Sequence, residues 1–289
     1  MHHGSQLKKF LLFAFIPLSI FAVVLVYPFA QGMYLTFTNW DGFSHDKYVG
    51  FANYTKSLKD PEFWITLRFT FKYVIVSVIT INAVAFGLAL LVTAKLKSSN
   101  IFRTFLFIPN LIGGVILGVI WQFIFNTALV SLSRKMEWSL FSSSWLGETN
   151  TAFWALIIVT TWQASGYMMI IYVTGLISIE QDVIEAARVD GASAARTLWS
   201  IKMPLMAQAF TISIFLTLRG GFMAYDVNVA LTGGGPYRTT ELIAMHIFQD
   251  AFAFGNFGTG QSKAVLLFIL VAAAALIQVT VNKRAEVQQ

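Results

Sequence analysis

The sequence predicts an all-α, polytopic membrane protein with six transmembrane helices, laid out as one transmembrane domain over residues 1–289. Three observations carry this expectation. Of the 289 residues, 56% are hydrophobic and 12% charged, whereas a soluble domain holds about 25% charged residues. The apolar residues gather in runs near the roughly 20 positions that a helix needs to cross a hydrocarbon core of about 30 Å. There is no cysteine, which removes a disulfide framework, a thiolate metal site and a Cys nucleophile.

The predicted spans cover 10–33, 71–94, 104–126, 152–177, 205–231 and 262–281. Each must be helical, because lipid offers no partner to a free backbone N–H or C=O. The first run follows Lys8 and Lys9 like a signal sequence. It continues for about twenty residues without a small-x-small cleavage site, so it is read as a retained span. Pro17 and Pro109 fall inside spans, where membrane helices tolerate kinks. His2 and His3 are given no function.

Orientation comes from the basic residues. With both ends cytoplasmic, the short inner segments hold Lys8, Lys9, Lys95, Lys97, Arg103, Arg188, Arg196, Lys202, Lys283 and Arg284. The longer outer loops hold Lys47, Lys56, Lys59, Arg68, Arg134, Lys135 and Arg238. That bias favours cytoplasmic termini. It accounts for the net charge of +6 without a nucleic-acid partner. The outer loops carry turn material in Trp40-Asp41-Gly42, Lys59-Asp60-Pro61 and Gly233-Gly234-Gly235-Pro236.

Segment 178–204 is a charged, Ala-rich insert between two spans, on the cytoplasmic side. Ser178 and Gln181 fit a capping box for a helix from Ile179 to about Asp190. Gly191 fits a left-handed stop, and Ser193 can cap a second helix. An amphipathic connector lying on headgroups is one reading. The acidic edge of Glu180, Asp182, Glu185 and Asp190 would be repelled by anionic lipid. The small residues Ala186, Ala187, Gly191, Ala192, Ala194 and Ala195 permit close approach of another backbone. Both features favour a protein partner.

The insert resembles the signature of ABC importer permeases. Glu185-Ala186-Ala187, Gly191, Ile201, Met203 and Pro204 stand at its spacing, with Met203 where the family has Leu. Three further segments resemble the carbohydrate-uptake branch, of the maltose and glycerol-phosphate type. They are Tyr48-Val49-Gly50-Phe51-Ala52-Asn53-Tyr54 with Asp60-Pro61-Glu62-Phe63-Trp64, Trp145-Leu146-Gly147, and Leu231-Thr232-Gly233-Gly234-Gly235-Pro236. Asn126-Thr127-Ala128 departs from the family where the third helix meets its loop.

The resemblance implies a type I ABC importer permease fold with cytoplasmic coupling helices. Glu185, Ala186, Ala187, Asp190, Gly191, Ile201 and Pro204 would then dock a separate ATPase and transmit its closure. It implies a second related permease subunit in a heterodimer, two ABC ATPase subunits and an extracytoplasmic solute-binding protein. The cargo would be a sugar or oligosaccharide, and the site the bacterial plasma membrane. This chain would hold no cofactor; ATP and Mg would be bound by the ATPase, so the chain itself would not be an enzyme. It has no Gly-x-x-x-x-Gly-Lys-Ser/Thr loop.

Two polar stripes are candidates for the cargo path. On the fifth span, Ser213, Thr217, Gly221, Ala224 and Asn228 fall on one side of Gly220, within about 100° of arc. Close helix packing is the competing reading. On the fourth span, Thr160, Gln163, Ala164 and Tyr167 share a face. Matched to the maltose-permease motif, Gln163, Ala164 and Tyr167 fall at sugar-contacting positions, as do Gly220, Gly221 and Ala224. The last three are smaller than the family's residues there, which leaves room for a cargo bulkier than a disaccharide. Arg219 falls about 100° to the other side of Gly220, so snorkelling or interhelical pairing competes with anion reading. Asn82 and Gln122 are read as packing hydrogen-bond residues.

An ion-coupled secondary transporter is the second reading. It would want acids within the spans, and only Asp226 comes near. An ABC permease for a non-sugar solute is a third. An intramembrane enzyme lacks a Ser/His, Asp/Asp or His/Glu constellation.

Overall fold

Five helices of the computed structural model are long and apolar enough to cross a bilayer, and a bent pair, Ala194–Leu205 with Ala207–Phe222, meets the same length and composition requirement when taken together. The structure describes residues 3–45, 47–94 and 99–283. His2, Lys95, Lys97 and Arg284 lie outside the described residues. Among those described no strand forms, and Thr38 and Tyr48 make an isolated antiparallel bridge. The elements are α1 (Phe10–Leu35), α2 (Ala52–Lys59), α3 (Pro61–Thr93), α4 (Ser99–Phe107), α5 (Gly114–Met136) and α6 (Thr149–Ile177). They continue with α7 (Gln181–Val189), α8 (Ala194–Leu205), α9 (Ala207–Phe222), α10 (Asp226–Leu231), α11 (Ile243–Phe248) and α12 (Phe257–Lys283).

Two spans differ from their sequence expectation. The third was expected over 104–126, but α4 stops at Phe107 and a 3₁₀ turn takes Ile108–Leu111. Pro109 carries no N–H to continue the ladder. Ile112 is extended, and the crossing helix starts only at Gly114. It then runs through Asn126-Thr127-Ala128 by a π turn (Ile124–Ala128) to Met136, where Glu137 turns left-handed at φ 54°. The junction expected at Asn126 is therefore helix.

The fifth span, expected unbroken over 205–231, is broken twice. Met206 separates α8 from α9 with a bend of 71°. Met223–Tyr225 then separate α9 from α10, just after Gly220 and Gly221, which favour helix least among residues other than Pro. Elsewhere the helices begin before the apolar runs do. The α3 helix starts at Pro61, where Asp60 Oδ1 accepts the Glu62 N–H at 2.9 Å and Pro61 takes the first helical position.

The chain divides into two compact units, residues 1–63 with 247–268 and residues 64–246 with 269–289. In the first unit α1 carries no charged residue, and none of its 18-residue apolar window is buried within the chain. Asn53 Nδ2 donates to Thr36 O at 2.8 Å and Thr38 O at 2.9 Å, which ties α2 to the end of α1. Ser57 and Ser262 share a hydrogen bond of 2.7 Å. Lys263, 2% exposed, donates to Asp60 at 2.6 Å and Asp250 at 2.7 Å.

The second unit packs α3, α6 and α9 around Ile81, Ala85, Met169, Tyr172, Met206 and Ala209. Glycines set its closest contacts. A Cβ on Gly118 would lie 2.5 Å from Ala230 Cβ, and one on Gly166 would lie 1.8 Å from Leu106 O. Gly114 and Gly118 thus form a small-x-x-x-small face by which α5 lies against α10.

After α10 the chain folds back over 232–242. Asn228 Nδ2 donates to Thr240 O at 2.8 Å, and its Oδ1 accepts the Leu242 N–H at 3.0 Å. The buried Glu241 carboxylate accepts from Arg238 Nε at 2.5 Å and lies 3.3 Å from His246 Nδ1.

Candidate functional site

The 181–205 segment forms a helical hairpin closed by backbone bonds. The Ala192 N–H donates to Ala187 O at 2.9 Å and the Gly191 N–H to Arg188 O at 3.1 Å. This is the paired pattern of a Schellman C-cap, with Gly191 left-handed at φ 74°. A Cβ on Gly191 would meet nothing within 4 Å, so the glycine is required by its backbone angle, not by crowding. Ser193 Oγ accepts the Arg196 N–H at 3.3 Å and caps α8, as the sequence predicts.

The expected capping box is absent. Ser178 Oγ donates back to Gly175 O at 2.9 Å, so it closes α6 and leaves Glu180 at the start of α7 without a side-chain cap. Gln181 Nε2 instead reaches Glu185 Oε1 at 3.4 Å. Glu185, Ala186, Asp190 and Gly191 are exposed, Ala187 is buried, and Ile201 and Pro204 are half-buried. Val189 and Trp199, 87% and 65% exposed, add apolar surface beside the acids.

The second feature is a cavity of about 380 Å³ in the second unit. Its walls come from α3 (Tyr73, Ser77, Ile81), α6 (Thr160, Gln163, Ala164, Met168), α9 (Leu216, Thr217, Gly220, Gly221), and the break and α10 (Met223, Ala224, Tyr225, Asp226, Val227), with Gly114. The helix break at Met223–Tyr225 lets Ala224, Tyr225 and Asp226 turn to the same space as Gly220. On one wall the Tyr73 hydroxyl lies beside those of Ser77 and Thr160. Gln163 Nε2 donates to Ile112 O at 3.0 Å, satisfying the carbonyl freed where the chain breaks between α4 and α5.

Below the cavity a polar knot joins three helices. Asn82 Oδ1 accepts from the Tyr172 hydroxyl and from Ser213 Oγ, each at 2.6 Å. Asn82 Nδ2 donates to Thr217 Oγ1 at 3.0 Å. Asn82 is thus the packing residue the sequence predicts, and so is Gln122, which reaches Leu231 O at 3.4 Å.

Seven of the ten stripe residues meet on this cavity: Thr160, Gln163, Ala164, Thr217, Gly220, Gly221 and Ala224. Three do not. Tyr167 stands off it, its ring 6.3 Å from that of Phe107. Gly166 meets the backbone of Leu106, which brings α4 across that side of α6. Asn228 is also off the cavity, because the break in the fifth span turns α10 away from the continuous stripe. Its amide is spent on the 232–242 fold. Ser213 is committed to Asn82. Arg219 is exposed and not part of the cavity wall. Tyr73, Ser77 and Asp226 are wall residues that the stripes did not reveal. The first two lie on α3, where a Tyr-x-x-x-Ser spacing was the available signal.

Outside the spans, the Glu241 carboxyl is held below its ordinary value. Burial alone would raise it, but hydrogen bonds from His246 and Arg238, and their charges, outweigh that.

Residues 83–287 match the profile of the family described as binding-protein-dependent transport system inner membrane component. The chain is similar to the probable starch degradation products transport system permease protein AmyD of Thermoanaerobacterium thermosulfurigenes. The two are 41% identical over 94% of this chain and 92% of that protein. It is 29% identical, over 95% of each chain, to the multiple sugar-binding transport system permease protein MsmF of Streptococcus mutans. Among solved structures, a chain of a bacterial alginate ABC transporter, in complex with alginate pentasaccharide-bound periplasmic protein, shares its fold. The TM-score is 0.83 over 98% of each chain at 16% identity.

Proposed function

Because this chain belongs to the family of binding-protein-dependent transport system inner membrane components, we propose that its cavity is one wall of a sugar path and that its 181–205 hairpin docks a separate ATPase. The chain is the transmembrane permease subunit of an ATP-driven ABC importer. Relatives named for starch degradation products and multiple sugars support a sugar or oligosaccharide as cargo.

The observation that carries the mechanism is continuity. The exposed hairpin with Glu185 and Gly191 runs through one joint, Met206, directly into α9, whose Thr217, Gly220 and Gly221 line the cavity. Closure of an ATPase dimer would move the hairpin, and α9 with it, so the cavity opens alternately to each side. ATP and Mg belong to the ATPase; this chain holds no cofactor and hydrolyses nothing. A second, related permease subunit supplies the facing wall, two ATPase subunits take the hairpins, and a solute-binding protein delivers sugar from outside. The site is the bacterial plasma membrane, with both termini cytoplasmic.

The test is to purify the assembled complex in nanodiscs and measure ATP hydrolysis. Binding protein loaded with sugar should stimulate it several-fold. Uptake driven by an ion gradient, with no ATPase co-purifying, would overturn this reading in favour of a secondary transporter.

A further inference from the structure

Asp226 is the one charged side chain on the cavity wall among the described residues. No cation accompanies it there. Arg219, the charge nearest in sequence, is exposed and not part of the wall. Gly114 fixes the position of Asp226: a Cβ at 114 would fall 2.7 Å from Asp226 Cβ, so α5 holds the start of α10 in close contact. The backbone and Cβ of Asp226 are therefore held by packing, while its carboxylate is exposed at the cavity wall.

We propose that Asp226 makes this cavity a charge filter, admitting neutral oligosaccharides and excluding anionic ones that carry uronate, sulfate or phosphate groups. The inference rests on the reading of the cavity as a sugar path. A carboxylate accepts hydrogen bonds only, and a neutral sugar offers hydroxyl donors, so the group is attractive to one class of cargo. An anionic sugar brings a like charge into a space with Met168, Leu216, Met223 and Val227 on its walls. Asp226 and Met223 are both exposed, so the repulsion acts partly through water and weakens with salt. On the wall that this chain supplies, no described Arg or Lys offsets it. One residue thus supplies both the attraction and the rejection on which specificity depends.

The experiment measures equilibrium binding of two probes of equal length to the whole complex in nanodiscs, without the binding protein, whose own selectivity would intrude. The probes are maltotetraose and maltotetraose oxidised at C6 to carboxylates. The wild-type complex should prefer the neutral probe by about tenfold or more at low ionic strength, and high salt should narrow the gap. D226N, which keeps size and hydrogen bonding, should bring the two within about threefold by gaining the anionic probe. D226K should reverse the preference, and both variants should melt as the wild type does. Equal binding of both probes by the wild type, or an unchanged preference in D226N, overturns the filter. So does a D226N complex that loses maltotetraose without gaining its oxidised form, because the carboxylate would then be a ligand alone. Binding of neither probe by the wild type overturns the sugar-path reading, and the filter falls with it.

Discussion

Lys263 Nζ lies 2.6 Å from an Asp60 carboxylate oxygen, across 203 positions of sequence. The same ammonium reaches Asp250 at 2.7 Å, and Asn256 Nδ2 supports Asp250 at 2.9 Å. Lys263 is 2% exposed, so removing it strands two partly buried carboxylates. Lys263→Met is expected to cost about 3–5 kcal/mol, read as a fall in melting temperature. Adding Asp250→Asn should recover part of the loss, because one stranded charge disappears.

The hairpin predicts an uncoupled phenotype. Gly191→Val forces a β-branched residue to φ 74°, at a local cost of about 1–2 kcal/mol, and disturbs only the Schellman closure. The complex should assemble and melt nearly as the wild type, while sugar-stimulated ATP hydrolysis is lost. Gly191→Asn should retain it, because Asn tolerates the left-handed region. Glu185→Lys should also uncouple. Normal uptake by both Gly191→Val and Glu185→Lys would make the segment a connector only.

Two glycines in long helices should respond oppositely to the same change. Gly166→Ala places a carbon 1.8 Å from the Leu106 carbonyl oxygen. Backbone must move, and the expected cost is about 3 kcal/mol or more. Gly87 in α3 has nothing within 4 Å of its Cβ position. Gly87→Ala should stabilise by about 0.5–1 kcal/mol through helix propensity. Melting of both variants in one detergent checks the pair.

The depressed Glu241 carboxyl sets an acid limb. In the folded chain this group binds its proton less readily than in the unfolded one. Its contribution is therefore complete above the usual Glu value of about 4.3 and fades as pH falls through the lower folded-state value. Melting curves from pH 7 to pH 3 should show that decline. Glu241→Gln should lower stability at pH 7 and flatten the acid limb. An unchanged limb would assign the acid sensitivity to other carboxylates.

The spans were legible because lipid imposes a length and a composition, and both are read directly off the chain. Their interruptions were not. Pro109 was visible but assigned to a kink, whereas the helix stops there and restarts at Gly114. The break at Met223–Tyr225 carries no proline, so 3.6-residue arithmetic ran straight through it and put Asn228 on a stripe that α10 does not share. Gly114 and Gly118 stood four apart in plain view. Their meaning needed the partner helix, since a small-residue spacing says that something approaches and not what. Ser178 failed as a cap because it had two backbones within reach, and the finished α6 won the hydroxyl. The hairpin was legible nearly to the residue, since a left-handed Gly between two capped turns is fixed locally.

The 71° bend at Met206 makes α8 and α9 an elbow whose fulcrum is buried among α3, α6 and α9, where Met206 is 1% exposed. The forearm, Ala194–Leu205, is about 18 Å long at 1.5 Å per residue. A displacement of a few ångströms at its outer end arrives at α9 as a rotation of roughly ten degrees or more, with little translation of the joint itself. The geometry turns linear thrust into torque, and its gearing is set by one number: how many residues separate Ser193 from Met206.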